Sequence, residues 1–198
     1  MRDPATGLLR HGWDESRTME WADKKSGLSP AVWGRAMGWY CMALVDTLDW
    51  FPADHPQRPA LIAALNRAMV AVLAVQDAKS GLWWQVMDRG SAPGNFPEAS
   101  ASAMFVYSLA KGVRKGYLPS ADKAAATRGW QGIQKQFVTS APDGSLTLTG
   151  TVKVGGLGGK PYRSGTFDYY IGEKTGDNDA KGVGAYLLAG SEMEQTAH

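Results

Sequence analysis

Ser80-Gly81-Leu82-Trp83-Trp84-Gln85-Val86-Met87-Asp88 separates two stretches with helical periodicity. Its frame is Gly-Leu with an acid seven residues after the glycine. The same frame stands 74 residues earlier, at Gly7-Leu8 and Asp14. Asp143-Gly144-Ser145-Leu146, 63 residues beyond Gly81, reads as a third and weaker copy. The segments between the copies are helical. Ser29-Pro30 looks like a cap with proline at the first helical position, opening a helix over 30–50. Trp33, Met37, Tyr40, Leu44, Val45 and Leu48 form its apolar side, and Pro52 ends it. A second helix starts near Pro59 and stops before Ser80-Gly81. A third runs from Pro97 to Gly116, a fourth from Ser120 to about Thr139, and a last from about Asn178 to Glu194. Leu82 to Met87 is short and apolar, and reads as a strand-like or loop segment. Ser145–Thr149 and Thr151–Val154 read as a β-hairpin turning at Gly150, followed by a Gly-rich loop over 155–165.

The repeating unit is therefore one helix pair plus a loop, and the fold class is all-α with short β-hairpins in the loops. Helical hairpins with one apolar face must stack in a row or close into a ring to hide it. At roughly 65–75 residues per hairpin, a ring of six needs about 400 residues. This chain has 198, enough for about three. Met1 enters directly on Asp3-Pro4-Ala5-Thr6-Gly7 with no polar capping repeat. The expectation is half of a ring, residues 1–198 as a single domain, rather than an open array. Half a ring exposes two helix faces, so self-association or a complementing half is an expected partner.

Composition excludes several classes. Apolar residues make up 44% and charged residues 20%, an ordinary globular mixture. The apolar runs are far shorter than the ~20 residues of a membrane span, and no secretory signal is visible. Net charge is +2 with no basic cluster, which argues against a nucleic-acid surface. The single cysteine, Cys41, excludes an internal disulfide; it reads as a buried apolar group. Lack of disulfides fits the cytoplasm and allows the periplasm. The histidines at 11, 55 and 198 are too scattered for a metal site. Eight tryptophans and 24 glycines stand out, and indoles serve either core packing or the C–H faces of sugars.

The densest chemistry lies at His11-Gly12-Trp13-Asp14-Glu15-Ser16-Arg17, followed by Trp33-Gly34-Arg35-Ala36-Met37-Gly38-Trp39. On a helix Arg35 and Trp39 share a face, with Trp33 to one side. Arg35 is then either a fork for a ligand carboxylate or a structural bridge stacked on tryptophan and paired with Asp14 or Glu15. A two-carboxylate glycosidase site would have to bring Asp14 together with Asp88 or Glu98. Asp46 and Asp49 read as a solvated helix face. Phe167-Asp168-Tyr169-Tyr170 is an aromatic-acid cluster, for core or site.

The run Leu9 to Arg17, with Trp21-Ala22, Ser26-Gly27-Leu28-Ser29-Pro30, Trp33, Arg35, Gly38-Trp39 and His55-Pro56, resembles glycoside hydrolase family 105. These are the unsaturated rhamnogalacturonyl hydrolases, close to the family 88 unsaturated glucuronyl hydrolases. The resemblance continues through Ser80 to Trp83, Glu98, Ser100, Ser102, Lys111-Gly112, Asp168-Tyr169-Tyr170, Asn178-Asp179 and Gly182 to Ala185, over essentially the whole chain. It implies an (α/α)6 toroid, about half of it present here. It implies cleavage of the 4,5-unsaturated galacturonyl end of pectin-derived oligosaccharides, with no cofactor or metal. An acid protonates the C4=C5 vinyl ether, water adds at C5, and the hemiketal opens to release the aglycone. The family's acid/base Asp lies upstream of the position matched by His11, so no catalytic residue is expected in this chain. His11, Trp33, Arg35 and Trp39 are expected on the substrate-binding side. The alternative is a non-catalytic uronide-binding module of three hairpins.

Overall fold

The computed structural model describes residues 1–195; His198 lies outside them. Its organising element is α3 (Ala99–Arg114), buried at fourteen of sixteen positions. A helix buried all round must be apolar or small all round, and α3 opens with Ala99-Ser100-Ala101-Ser102-Ala103. α1 (Gly34–Trp50) and α6 (Ala180–Gln195) flank it, and α4 (Lys123–Phe137) packs behind it. α2 (Arg58–Ala74) backs α1. One layer is thus α1, α3 and α6, and the second holds α2 and α4. This is the paired-helix arrangement of an (α/α)6 toroid, with two helix pairs, α1–α2 and α3–α4, and α6 as a further inner-layer helix among the described residues. The α1–α3 crossing is close because position 38 is glycine: a Cβ there would stand 2.8 Å from Met104 Cβ. Cys41 is fully buried in this core, and burial pushes its thiol pKa up.

Ion pairs tie the first layer together. Lys111 of α3 reaches Asp46 at 2.6 Å and Asp49 at 2.7 Å. Burial alone would lower the lysine's pKa, but the hydrogen bonds it donates to both carboxylates and to Tyr107 outweigh that and raise it. Asp46 and Asp49 are therefore not merely a solvated face; they are the α1 half of an interhelix clamp. On the other side Arg114 forks onto Glu192 of α6, both contacts at 2.7 Å.

The repeat is a turn with fixed chemistry. In Asp3–Leu8 and Asp77–Leu82 the aspartate backbone N–H donates to the leucine carbonyl (2.8 and 2.9 Å), and the glycine N–H donates back to the aspartate carbonyl (2.8 Å in both). The glycines have φ of +72° and +76°, which favours a residue without Cβ. The third true copy is Asp23-Lys24-Lys25-Ser26-Gly27-Leu28, with the same bonds at 3.0 and 2.8 Å and φ +75° at Gly27. Asp143-Gly144 is a different turn, in which Ala141 N–H donates to Ser145 O. The defining feature is the acid four residues before the glycine, and Asp143 stands next to its glycine instead.

Three other expectations are corrected. α1 begins at Gly34, not Pro30. Residues 30–33 stay extended because tertiary partners take their backbone groups. Arg10 takes the carbonyls of Ser29 and Pro30, and Asp88 accepts from Val32 N–H at 3.2 Å. Val32 O accepts from Met87 N–H at 3.0 Å. The hairpin also pairs differently: β1 (Val138–Ser140) with β2 (Leu146–Leu148), and β3 (Thr151–Val152) with β4 (Thr175–Gly176). A turn at Gly150 alone would leave one residue in the loop, and tight hairpins need two. α4 accordingly ends at Phe137, before the expected Thr139. The aromatic-acid cluster itself, for which no element was expected, forms a six-residue helix, α5 (Phe167–Gly172), started by Thr166 Oγ1 accepting from Tyr169 N–H at 3.3 Å. One and a half turns are too short to leave a periodic signal.

Candidate functional site

The first loop and the first two turns of α1 line a half-open cavity of about 330 Å3. His11, Trp33, Met37, Trp39 and Tyr40 line it, with Arg10 at its edge. The loop places His11 because Arg10 staples it to Ser29-Pro30 and pairs with Asp3 (3.4 Å) and Asp88 (3.6 Å). The same Asp88 fixes the extended residues before α1, so His11 and Trp33 are held by one network.

His11 meets Trp33 edge-on at 5.6 Å between ring centroids and Tyr170 at 5.9 Å. Its Nε2 lies 2.9 Å from Tyr170 Oη. Burial lowers its pKa to about 4, so the imidazole is neutral at pH 7. Tyr170 comes from α5 and stacks on Trp33 at 5.5 Å with a 19° tilt. Burial raises its phenol pKa. His11 Nδ1 and Trp33 Nε1 are buried with no hydrogen-bond partner among the described residues. An unmade buried bond costs about 1–3 kcal/mol, and these two rings carry one each.

Trp33 is also fixed from the other side. A Cβ at Gly155 would fall 2.4 Å from its ring, so the Gly-rich loop lies directly against the indole. Trp39, further along α1, is half exposed.

Arg35 sits differently from the other three expected site residues. It is 2% exposed and lies behind Trp33, its guanidinium carbon 5.1 Å from the ring centroid. Its Nη1 donates to the Val152 carbonyl and to Ser100 Oγ at 3.4 Å, and stands 3.9 Å from Glu98 Oε1. Glu98 is fully buried. It accepts from Val152 N–H (2.9 Å), Ala101 N–H (2.7 Å) and Ser100 Oγ. The pair thus grips both backbone groups of Val152, ties β3 to the start of α3, and supports Trp33 from below. Of the two readings of Arg35, the structure matches a bridge stacked on tryptophan, but with Glu98 instead of Asp14 or Glu15.

No carboxylate lines the cavity. Asp14 is used in its own loop, accepting from Ser16 and from Met19 N–H, while Asp88 and Glu98 are committed as described. Among the described residues, no three metal-ligating side chains gather. The wall can therefore stack an apolar ring face and offer neutral hydrogen-bonding groups, but it holds no proton donor of carboxylic type. The sequence reading missed two contributors. Tyr170 was visible only as part of an aromatic run. Gln85, fully buried, donates to the Tyr170 carbonyl at 3.2 Å and leaves its Oε1 unpartnered; nothing in its neighbours marked it.

Residues 1–197 match the family model of Glycosyl Hydrolase Family 88. Protein Atu3128 of Agrobacterium fabrum is 43% identical over 194 residues, covering 95% of this chain and 82% of that protein. An unsaturated 3S-rhamnoglycuronyl hydrolase of Alteromonas sp. is 29% identical over 172 residues, covering 86% of this chain and 37% of that one. Among solved structures, a family 105 glycoside hydrolase of C. acetobutylicum superposes with a TM-score of 0.96 at 48% identity, covering 98% of this chain and 54% of that chain. The chain thus spans about half the length of that enzyme. With the hairpin layers, the stapled first loop and this match over nearly every residue, the chain belongs to glycosyl hydrolase family 88.

Proposed function

We propose that the His11 cavity binds the 4,5-unsaturated galacturonyl end of a pectin-derived oligosaccharide, in the service of vinyl-ether hydration. The observation that carries this reading is the half-exposed indole of Trp39 on the same cavity as a neutral, buried His11 and the edge of Trp33, whose two faces are taken by Tyr170 and Arg35. Flat apolar walls suit a sugar ring flattened by its double bond. His11 and Trp33 each hold a buried nitrogen that lacks a bond within the protein, which an ordered water would complete behind the cavity surface. Arg35 acts at one remove, by holding Trp33 and β3. The neighbouring hydrolases of this family support the reaction class.

In that reaction a proton is delivered to C4 of the C4=C5 bond, water adds at C5, and the hemiketal opens to a ketone with loss of the aglycone alcohol. A proton donor is required, and none of the cavity's own residues is a carboxylic acid. In our reading the donor reaches the cavity from outside this lining, and the residues described here bind and orient. The absence of a carboxylate equally favours a second reading, a module that binds uronides without turning them over.

Calorimetric titration with an unsaturated galacturonyl-rhamnose disaccharide tests the binding claim. Trp39→Ala should weaken it by about tenfold, the loss of one aromatic contact with its buried area. Equal affinity in Trp39→Ala and the parent chain would remove the cavity from consideration.

A further inference from the structure

A second concave surface lies away from the His11 cavity and shares no residue with it. It is a groove of about 470 Å3 between the Asp77–Leu82 turn and the C-terminal half of α4, within the size range of ligand sites. Trp84 and Pro97 form one wall, and Lys79 and Lys135 supply two ammonium groups. Neither lysine is within ion-pair distance of a carboxylate among the described residues. The groove's one acid, Asp77, is turned to its own loop, where it accepts from Ser80 N–H at 2.7 Å and Ser80 Oγ at 2.6 Å. Arg128 adds a third cation in the adjoining hollow of about 210 Å3, its Nη2 bonded to Gln76 Oε1 at 2.9 Å.

Two features make this a built groove. Trp84 is the one residue of Leu82–Met87 that is not fully buried; the chain spends five side chains on the core and leaves this indole at the wall. The floor is fixed by close approach, since a Cβ on Gly132 would stand 2.3 Å from Ser80 O. The turn is therefore pressed onto α4, and the exposed Lys79 and Lys135 stand at the rim of a preformed space.

We infer that this groove is a second binding site for a uronate-bearing oligosaccharide, with Trp84 as the sugar platform and Lys79 and Lys135 as carboxylate partners. An indole recognises the C–H face of a pyranose, and exposed ammoniums lining the same groove, Lys79 in the field of Asp77 but in contact with no carboxylate among the described residues, select sugars that carry a negative charge. The inference rests on the proposed uronide class of substrate, but it concerns saturated units of the chain, not the unsaturated end.

The test is calorimetric titration of the whole chain with a saturated galacturonate trimer. Lys79→Glu/Lys135→Glu replaces two exposed side chains, so the fold should survive, and its thermal melt checks this. The inference expects the double variant to weaken trimer binding about tenfold or more, with unchanged affinity for the unsaturated disaccharide. A neutral galactose trimer should bind more weakly than the acidic one by a similar factor. Trimer affinity unchanged in the double variant overturns the site, as does absence of trimer binding to the parent. Loss of trimer binding in Trp39→Ala would place the trimer in the His11 cavity and also overturn it. Failure of the unsaturated disaccharide to bind, with trimer binding intact and sensitive to the lysines, would refute the proposed function and leave the groove standing.

Discussion

Arg35→Met is the most informative single change, because the two readings of Arg35 diverge on it. In the structure the guanidinium is 2% exposed, and its partner Glu98 is fully buried. Removing one member of a buried pair leaves the other charge uncompensated, typically at about 3–5 kcal/mol. The lower end applies here. The pair is long at 3.9 Å, and Glu98 keeps its bonds to Ala101 N–H, Val152 N–H and Ser100 Oγ. The lost bond to the Val152 carbonyl is part of the same sum. The expected destabilisation is about 3 kcal/mol, or about 6–12 °C in Tm for a chain of this length. Denaturant titration and scanning calorimetry read it directly. The double variant Arg35→Met/Glu98→Gln should recover about 1–3 kcal/mol as coupling energy. A Tm unchanged in Arg35→Met, together with lost uronide binding, would refute the clamp and restore Arg35 as a direct ligand fork.

Protonation of His11 sets an acid limit. Its folded pKa is about 4 against an ordinary 6.5, so the unfolded chain binds the extra proton between these values. Stability should fall as pH drops from 6.5 towards 4, by up to about 3 kcal/mol, and His11→Asn should flatten that slope in pH-dependent melts. Gly155→Ala should displace Trp33, since the new Cβ would sit 2.4 Å from its ring. A cost of about 1–3 kcal/mol and altered tryptophan fluorescence are expected. The open sides of α1 and α6 expose Trp39, Tyr40, Leu187 and Leu188, apolar surface of the kind that drives association. Leu187→Lys/Leu188→Lys should shift the sedimentation profile towards monomer; an unchanged profile would separate association from these faces.

The parts of the fold that were legible depended on local signals. The start of α2 was readable because Pro59 marks it, but its end was not: the helix stops at Ala74, six residues before the Ser80-Gly81 expected to end it. The turn at Gly81 was readable because only a few residues tolerate its conformation. The start of α1 was not, since Ser29-Pro30 carries the local mark of a cap while Arg10 and Asp88, far away in sequence, take the backbone groups. The hairpin failed for a similar reason: β3 finds its partner at Thr175–Gly176, across a loop that has no periodicity.

The site follows the same division. His11, Trp33 and Trp39 could be singled out because their residue types are unusual in such density, and the structure gathers all three on one cavity. The burial of Arg35 was not legible, because its partner Glu98 is 63 residues on and its second anchor is the backbone of Val152. Tyr170 stands 159 residues from the histidine it touches. Contacts of that kind belong to the packing of layers and have no signature in a local window.

Separating binding from proton transfer tests the account at its centre. The purified chain is incubated with the unsaturated disaccharide, and the ultraviolet absorbance of the C4=C5 bond is followed while affinity is measured on the same sample. The account predicts saturable binding with no loss of absorbance beyond the buffer rate, because the cavity holds no carboxylic proton donor. Enzymatic loss of the absorbance by this chain alone, abolished by Asp88→Asn or Asp14→Asn, would contradict it and locate the acid among the residues described here.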